Sequence, residues 1–275
     1  MYKHRKKRRP EDTILWRYMD ITKFISMLET RSIHFTQLNR IAAKEDIYEG
    51  YCTNADLKNL TNEIIAHNKE TKKEQIDYNA VLNDVNEFIK HFRLNVGISS
   101  WYINKHESSA MWKIYSKDSG LAIKTNVKKL TESLHKLQPN RIIKSYKIKY
   151  LDYNNKPIMN LPELYNLIGE YRHYLNNKMV IPHEFSQKIA EYFEPFSFCK
   201  RHSFRTECEF RLLTYLNVPE SNYMYDTFGD NLGIVLDDVI EEVRPSPYTE
   251  NWVKDLIRKL MIRYNINTEK LIIGE

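Results

Sequence analysis

The segment Ile14-Leu15-Trp16-Arg17-Tyr18 reads as a strand, and Asp20 then offers an N-cap to a helix with Ile21, Phe24, Ile25 and Leu28 on one face. Ile33 to Thr36 returns to a short strand, so the opening predicts strand, helix, strand, followed by a less hydrophobic region. Two helical patterns run from Asn54 to about Phe92, the second carrying Val81, Leu82, Val85, Phe88, Ile89 and Phe92 at helical spacing, which predicts a helical insertion near residues 54–93. Val96 to Ile103 reads as a strand, Ser108 to Tyr115 as a turn or two of helix, and Gly120 to Thr125 as a strand. Asn126 then caps a helix to about Leu137. Arg141 to Tyr150 alternates as one long half-exposed strand, and Leu161 to about Ala190 reads as two helices broken at Pro182. Glu207 to Tyr215, Leu232 to Leu236 and Glu242 to Arg244 read as strands. A closing amphipathic helix carries Trp252, Val253, Leu256, Ile257, Leu260 and Met261, and Leu271 to Ile273 reads as an edge strand.

Strands and helices do not alternate regularly, and no repeat or Gly/Ser-rich linker divides the chain. The expected fold is α+β, a split, twisted β core flanked by helices. It forms one domain over residues 13–275 behind a basic arm of residues 1–12.

Composition refines this picture at three points. The net charge of +6 resides in residues 3–9, and without Lys3, Arg5, Lys6, Lys7, Arg8 and Arg9 the chain holds 36 basic against 36 acidic residues. Such an arm is either a solvated tail or a polyanion contact to nucleic acid or an acidic surface. No window approaches the roughly 20 apolar residues of a membrane span, so a cytoplasmic protein with no membrane contact is expected. Cys52, Cys199 and Cys208 have no C-x-x-C spacing and the nine histidines are scattered, so neither a disulfide framework nor a metal is expected.

Phosphate-loop, dinucleotide-turn and nucleophile-elbow signatures are absent. The densest polar feature is Phe204 to Arg211, where period 2 places Glu207, Glu209 and Arg211 on one strand face. Two carboxylates about 7 Å apart along a strand can meet a ribose hydroxyl or a developing cation, or can simply face solvent beside arginine. The second feature is aromatic: Ser99-Ser100-Trp101-Tyr102, then His106 to Tyr115 with Met111, Trp112 and Tyr115, which wall a pocket or fill the core.

Several stretches resemble the bacterial family of domain of unknown function 2971. They are Trp16 to Asp20, Tyr48-Glu49-Gly50, the Trp101 to Tyr115 block, Phe204 to Arg211 and Val243 to Pro247. The resemblance spans roughly residues 13 to 265. Residues Ile41 to Ile47 lack the Asn-Asp-Pro that commonly precedes the family's Phe-Glu-Gly element.

The order of Arg17, Ser99-Ser100 and Glu207-x-Glu209 also resembles the R, S, E-x-E order of ADP-ribosyltransferases. That resemblance implies an NAD substrate in one cleft. Arg17 would hold its diphosphate, Ser99 and Ser100 would orient ribose, Glu209 would be the catalytic carboxylate, and Glu207 would select or activate the acceptor. Tyr18, Trp101, Trp112 and Tyr115 would stack nicotinamide or shape its pocket. A toxin or antiphage-defence role is the biological expectation that accompanies it. Two further classes stand beside this one: a binding or regulatory module using the same cleft without chemistry, and a nucleic-acid-processing protein recruited by the arm.

Overall fold

The computed structural model describes residues 11–44, 46–71, 75–116, 119–216 and 229–273; the basic run at residues 3–9 lies outside them. The strands are β1 (Ile14–Asp20), β2 (Ser32–Gln37), β3 (Val96–Ile103), β4 (Gly120–Asn126), β5 (Ile143–Lys147), β6 (Lys149–Leu151), β7 (Cys199–Arg201), β8 (Glu209–Tyr215), β9 (Gly229–Gly233) and β10 (Glu242–Pro245). The helices are α1 (Ile21–Thr30), α2 (Leu38–Lys44), α3 (Asn54–Glu70), α4 (Tyr78–Asn95), α5 (Ser109–Met111), α6 (Val127–Leu137), α7 (Leu161–Asn176), α8 (His183–Phe193), α9 (Leu236–Val239) and α10 (Asn251–Arg263).

The fold class is as expected, an α+β protein with an antiparallel sheet core flanked by helices. Eight strands form that sheet, with the path β10-β4-β1-β3-β2-β9 and with β8 and β5 added on the far side of β3. The core is split at β3. One edge of β3 pairs along its length with β8, from Val96↔Tyr215 to Tyr102↔Glu209. The other edge is shared: β1 pairs there at Leu15↔Ile103 and Trp16↔Tyr102, and β2 at Thr36↔Ile98 and Gln37↔Gly97. Ser99, Ser100 and Trp101 lie between those two pairings, at a fork where β1 and β2 diverge.

Each face of the sheet is covered differently. On the first face, Leu15, Met19, Trp101, Phe210, Leu212, Leu121 and Ile123 pack under Phe24 and Leu28 of α1, Leu130 and Leu134 of α6, and Ile257 and Met261 of α10. Burying each such side chain stabilises the fold by roughly 1.5–3 kcal/mol. On the second face, Ile98 and Leu213 meet the helical layer through Phe88 and Phe92 of α4 and Phe193 of α8. A separate small cluster on that face joins Trp16, Tyr18, Tyr102, Met111, Trp112 and Ala122. Ser100 is exposed although β3 is a central strand.

Caps fall where the sequence places them. Asp20 accepts from the Lys23 amide and Asn126 from the Lys129 amide. Pro182 precedes α8, separating the two expected helices.

Four expectations change. Arg141 to Tyr150 is not one strand: pairing with β8 ends at Lys147, and β6 joins β7 in a separate parallel pair. The region after β2 forms α2. The strand expected at Leu232 to Leu236 begins and ends earlier, as β9, and Leu236 opens α9. Leu271 makes a single bridge to Val243 rather than an edge strand.

The candidate site at the sheet fork

Arg17 stands opposite Ile123 in the β1–β4 register and shares its side with Leu15 and Met19 on the first face. Its guanidinium turns into the fork. Nη1 donates to Ser99 Oγ at 2.8 Å, Nη2 donates to the His34 carbonyl at 3.2 Å, and the group lies 5.4 Å from the centre of the Trp101 ring. One arginine thus ties β1, β2 and β3 together where their backbone pairing stops. No carboxylate pairs with it among the described residues. Half-buried without a counter-charge, the guanidinium is pulled down to about 10 by burial.

The second face carries a buried ionic network beside Ser100. Arg211, fully buried, donates to Glu209 through Nε at 2.5 Å and Nη2 at 3.0 Å, and through Nη1 to Glu49 at 2.6 Å and to the Ser197 carbonyl at 2.7 Å. Lys200 Nζ lies 2.7 Å from Glu207, 3.1 Å from Glu209 and 3.6 Å from Glu49. The Ser100 hydroxyl also donates to Glu209. Burial alone would raise the Glu209 carboxyl, but Arg211 and Lys200 overcome it and hold the group at about 2. Burial likewise opposes the charge of Arg211, and Glu209 and Glu49 reverse this, keeping it well above its ordinary value. The network sets three carboxylates against two cations.

Local backbone builds this arrangement. Residues His202–Glu207 form a 3₁₀ turn that ends at Cys208, whose φ of 41° lies in the left-handed region. The strand therefore starts at Glu209, and Glu207 does not share a strand face with Glu209 and Arg211 as period 2 predicts. It reaches the same network from the turn, through Lys200. Tyr115 approaches Glu207 Oε1 at 3.4 Å. The Tyr48-Glu49-Gly50 element is held from outside by Asp46, which accepts from Arg201 at 2.8 and 3.1 Å, and by Arg93, which donates to the Ile47 carbonyl at 2.9 Å.

The structure brings some expected partners together and separates others. Arg17 and Ser99 are in contact, as are Ser100 and Glu209. Arg17 and Glu209 are not in one cleft. Trp101 pairs with Phe210 and Tyr102 with Glu209, so Glu209 and Arg211 point to the second face while Trp101, Ser99 and Arg17 occupy the first. Glu209 is also not on open surface; it is 4% exposed. Tyr18, Trp101 and Trp112 are buried packing residues, with Tyr18 edge-on to Trp112 at 4.8 Å and its hydroxyl accepting from the Ser108 amide. Tyr115 is half-buried.

Three members of the site carried no signal of their own in the sequence: His34, Glu49 and Lys200. Only Glu49 stood in a recognised stretch, without a role. Among the described residues no group of three or more His, Cys, Asp or Glu side chains could hold a metal, and no helix is long and apolar enough to cross a membrane.

Fold and site together define an α+β protein whose antiparallel sheet forks around an arginine with no carboxylate partner among the described residues and backs onto a buried Glu-Lys-Arg network. Residues 111–212 match the model of a family described as "Protein of unknown function (DUF2971)". The family resemblance read from the sequence is borne out over that span, which holds the Met111 to Tyr115 and Phe204 to Arg211 blocks. No curated protein matches the chain, and no solved structure does.

Proposed function

We propose that the fork binds a phosphate-bearing nucleotide, with NAD the first ligand to test. The observation that carries this reading is Arg17: a half-buried guanidinium with no carboxylate partner among the described residues, held in place by Ser99 and His34. A cation kept in a partly desolvated position without a counter-ion is poised for an anion, and a planar fork of donors suits a phosphate. Ser99, on the same face of β3, fixes the guanidinium from beneath. Titration calorimetry with NAD and ADP-ribose tests it. The wild type should bind, and Arg17→Gln should weaken binding about 10- to 100-fold, the loss of charge-assisted hydrogen bonds worth roughly 1.5–3 kcal/mol. A folded wild-type protein that binds neither compound overturns the reading.

A second reading, NAD turnover of the ADP-ribosyltransferase kind with Glu209 as the acidic group, is favoured by the Ser100–Glu209 hydrogen bond on adjacent strands. It requires Glu209 to serve a developing positive charge while Arg211 and Lys200 already hold it. Nicotinamide release by wild type, abolished in Glu209→Gln with NAD binding intact, supports turnover; binding without release leaves a ligand-binding module. Polyanion contact through Lys3, Arg5, Lys6, Lys7, Arg8 and Arg9 is a separate proposal, resting on the charge of that run.

A further inference from the structure

The edges of the eight-stranded sheet are finished differently. Beyond β10, Leu271 bridges to Val243 and the Ile272 amide donates to the Val243 carbonyl, which closes that side. On the β8 side the last strand is β5, and no further strand joins it among the described residues. The Ile148 amide donates to the Glu209 carbonyl, one step past the registered pair Lys147↔Phe210. Backbone direction alternates along an antiparallel ladder, so Lys144 and Tyr146 bond to β8 while the N–H and C=O groups of Ile143, Ser145 and Lys147 point outward. Those outward groups have no partner among the described residues. No residue of β5 is buried, whereas β8 beside it is buried from Glu209 to Thr214, so the row lies at an accessible edge. Charge is one-sided there: residues 141–149 read Arg-Ile-Ile-Lys-Ser-Tyr-Lys-Ile-Lys, four cations and no acid. Arg141 and Lys144 are already paired, with Asp230 and Glu194. Lys147 and Lys149 are exposed and in no ion pair among the described residues.

We infer that the β5 edge takes up an extended acidic peptide segment of a partner protein as an added antiparallel strand. Ile143, Ser145 and Lys147 supply the main-chain hydrogen bonds, and an acidic residue opposite Lys147 supplies the charge pairing. An apolar residue opposite Ile143, itself packed against the first-face core, extends that layer. Lysines at an open edge discourage uncharged strands and favour an acidic one. A second copy of the chain fits poorly, because antiparallel pairing about Ser145 would set Lys149 against Arg141 and double the cations without adding an acid. A nucleic acid would use the lysines and leave the row of backbone groups unpaired.

The test is fluorescence anisotropy of a labelled peptide, Asp-Thr-Glu-Val-Thr-Val-Val with blocked ends, titrated with the full chain. Its Glu aligns opposite Lys147, its second Thr opposite Ser145 and its last Val opposite Ile143. Wild type should bind it, more weakly as salt rises. N-methylation of those three aligned residues, whose amides face β5, should abolish binding, whereas methylation of the residues between them should retain it. Lys147→Glu should weaken binding about 5- to 20-fold. Ser145→Pro should abolish it at a nearly unchanged melting temperature, because the Ser145 N–H takes no part in the β5–β8 ladder; where that variant does not fold, the two methylation patterns decide. No binding by folded wild type at millimolar peptide, equal loss from both methylation patterns, or unchanged binding by Ser145→Pro overturns the inference. Displacement of the peptide by single-stranded oligo-dT that binds wild type and Ser145→Pro alike also overturns it, and marks the lysines as a nucleic-acid contact.

Discussion

Replacing Arg211 by methionine keeps much of the side-chain volume and removes the charge that joins Glu49 to Glu209. In the variant, Glu49, Glu207 and Glu209 would face Lys200 alone, in a setting where Arg211 and Lys200 are 0% and 2% exposed. Breaking a buried ion pair by removing one partner costs about 3–5 kcal/mol, because the remaining charge is left desolvated. The depression of the Glu209 carboxyl by Arg211 and Lys200 points the same way. Its carboxyl is held down from 4.5 to about 2 in the folded state, which stabilises that state. Because the folded-state value lies below the unfolded one, that stability is present above about pH 4.5 and is lost as pH falls toward 2. In Arg211→Met, burial is less opposed and the carboxylates take up protons at higher pH, so the deficit relative to wild type should narrow from pH 7 to pH 4. Urea unfolding at both pH values, with unchanged m, measures it. A deficit under about 1 kcal/mol at pH 7, or one independent of pH, would show that the network does not hold Glu209 as described.

Glu207→Gln should behave oppositely, costing under about 1 kcal/mol, since it relieves the surplus of carboxylates over cations and keeps an acceptor for Lys200; a loss above 2 kcal/mol would contradict that balance. Gly50→Ala should cost about 1–3 kcal/mol in unfolding experiments, because Gly50 has φ +65° and a Cβ there would lie 2.7 Å from Leu38 Cδ2. Deleting residues 1–10 should leave the melting temperature nearly unchanged and weaken retention on heparin in a salt-dependent way, whereas a fall of many degrees would refute the assignment of the arm. Trp252→Ser, at a site 64% exposed, should change stability by no more than about 0.5 kcal/mol.

Elements whose two neighbours in sequence agree were legible. The strand β1, the Asp20 cap and α1 follow one another with a change of period at the cap, and α4 and α10 announce themselves by apolar stripes that the core then uses. Elements defined by their partners were not. Arg141 to Tyr150 alternates without interruption, yet β8 accepts only Ile143 to Lys147, and Lys149 to Leu151 turns to β7. Nothing in the alternation marks that transfer, because both pieces are half-exposed strands. The helix α2 is missed for a related reason: seven residues with two buried side chains, Leu38 and Ala42, make too short a stripe to stand out.

The site shows the same division more sharply. Alternation assigns faces only once the first strand residue is known, and in Phe204 to Arg211 that residue is set by the left-handed Cys208, which no local pattern signals in a non-glycine residue. Glu209 and Arg211 kept the face the period gives them, whereas Glu207 was moved off the strand and returned through Lys200, a residue with no distinguishing context in the sequence. Register between strands is harder still. Arg17 shares a face with Trp101, and Tyr102 with Glu209, only because Trp16 pairs with Tyr102; sliding β1 by one residue against β3 would carry Arg17 to the face of Glu209. The order arginine, serine, glutamate along a chain therefore specifies which strands meet. It leaves open on which side of the sheet each side chain emerges, and here that side separates Arg17 from the carboxylate expected to work beside it.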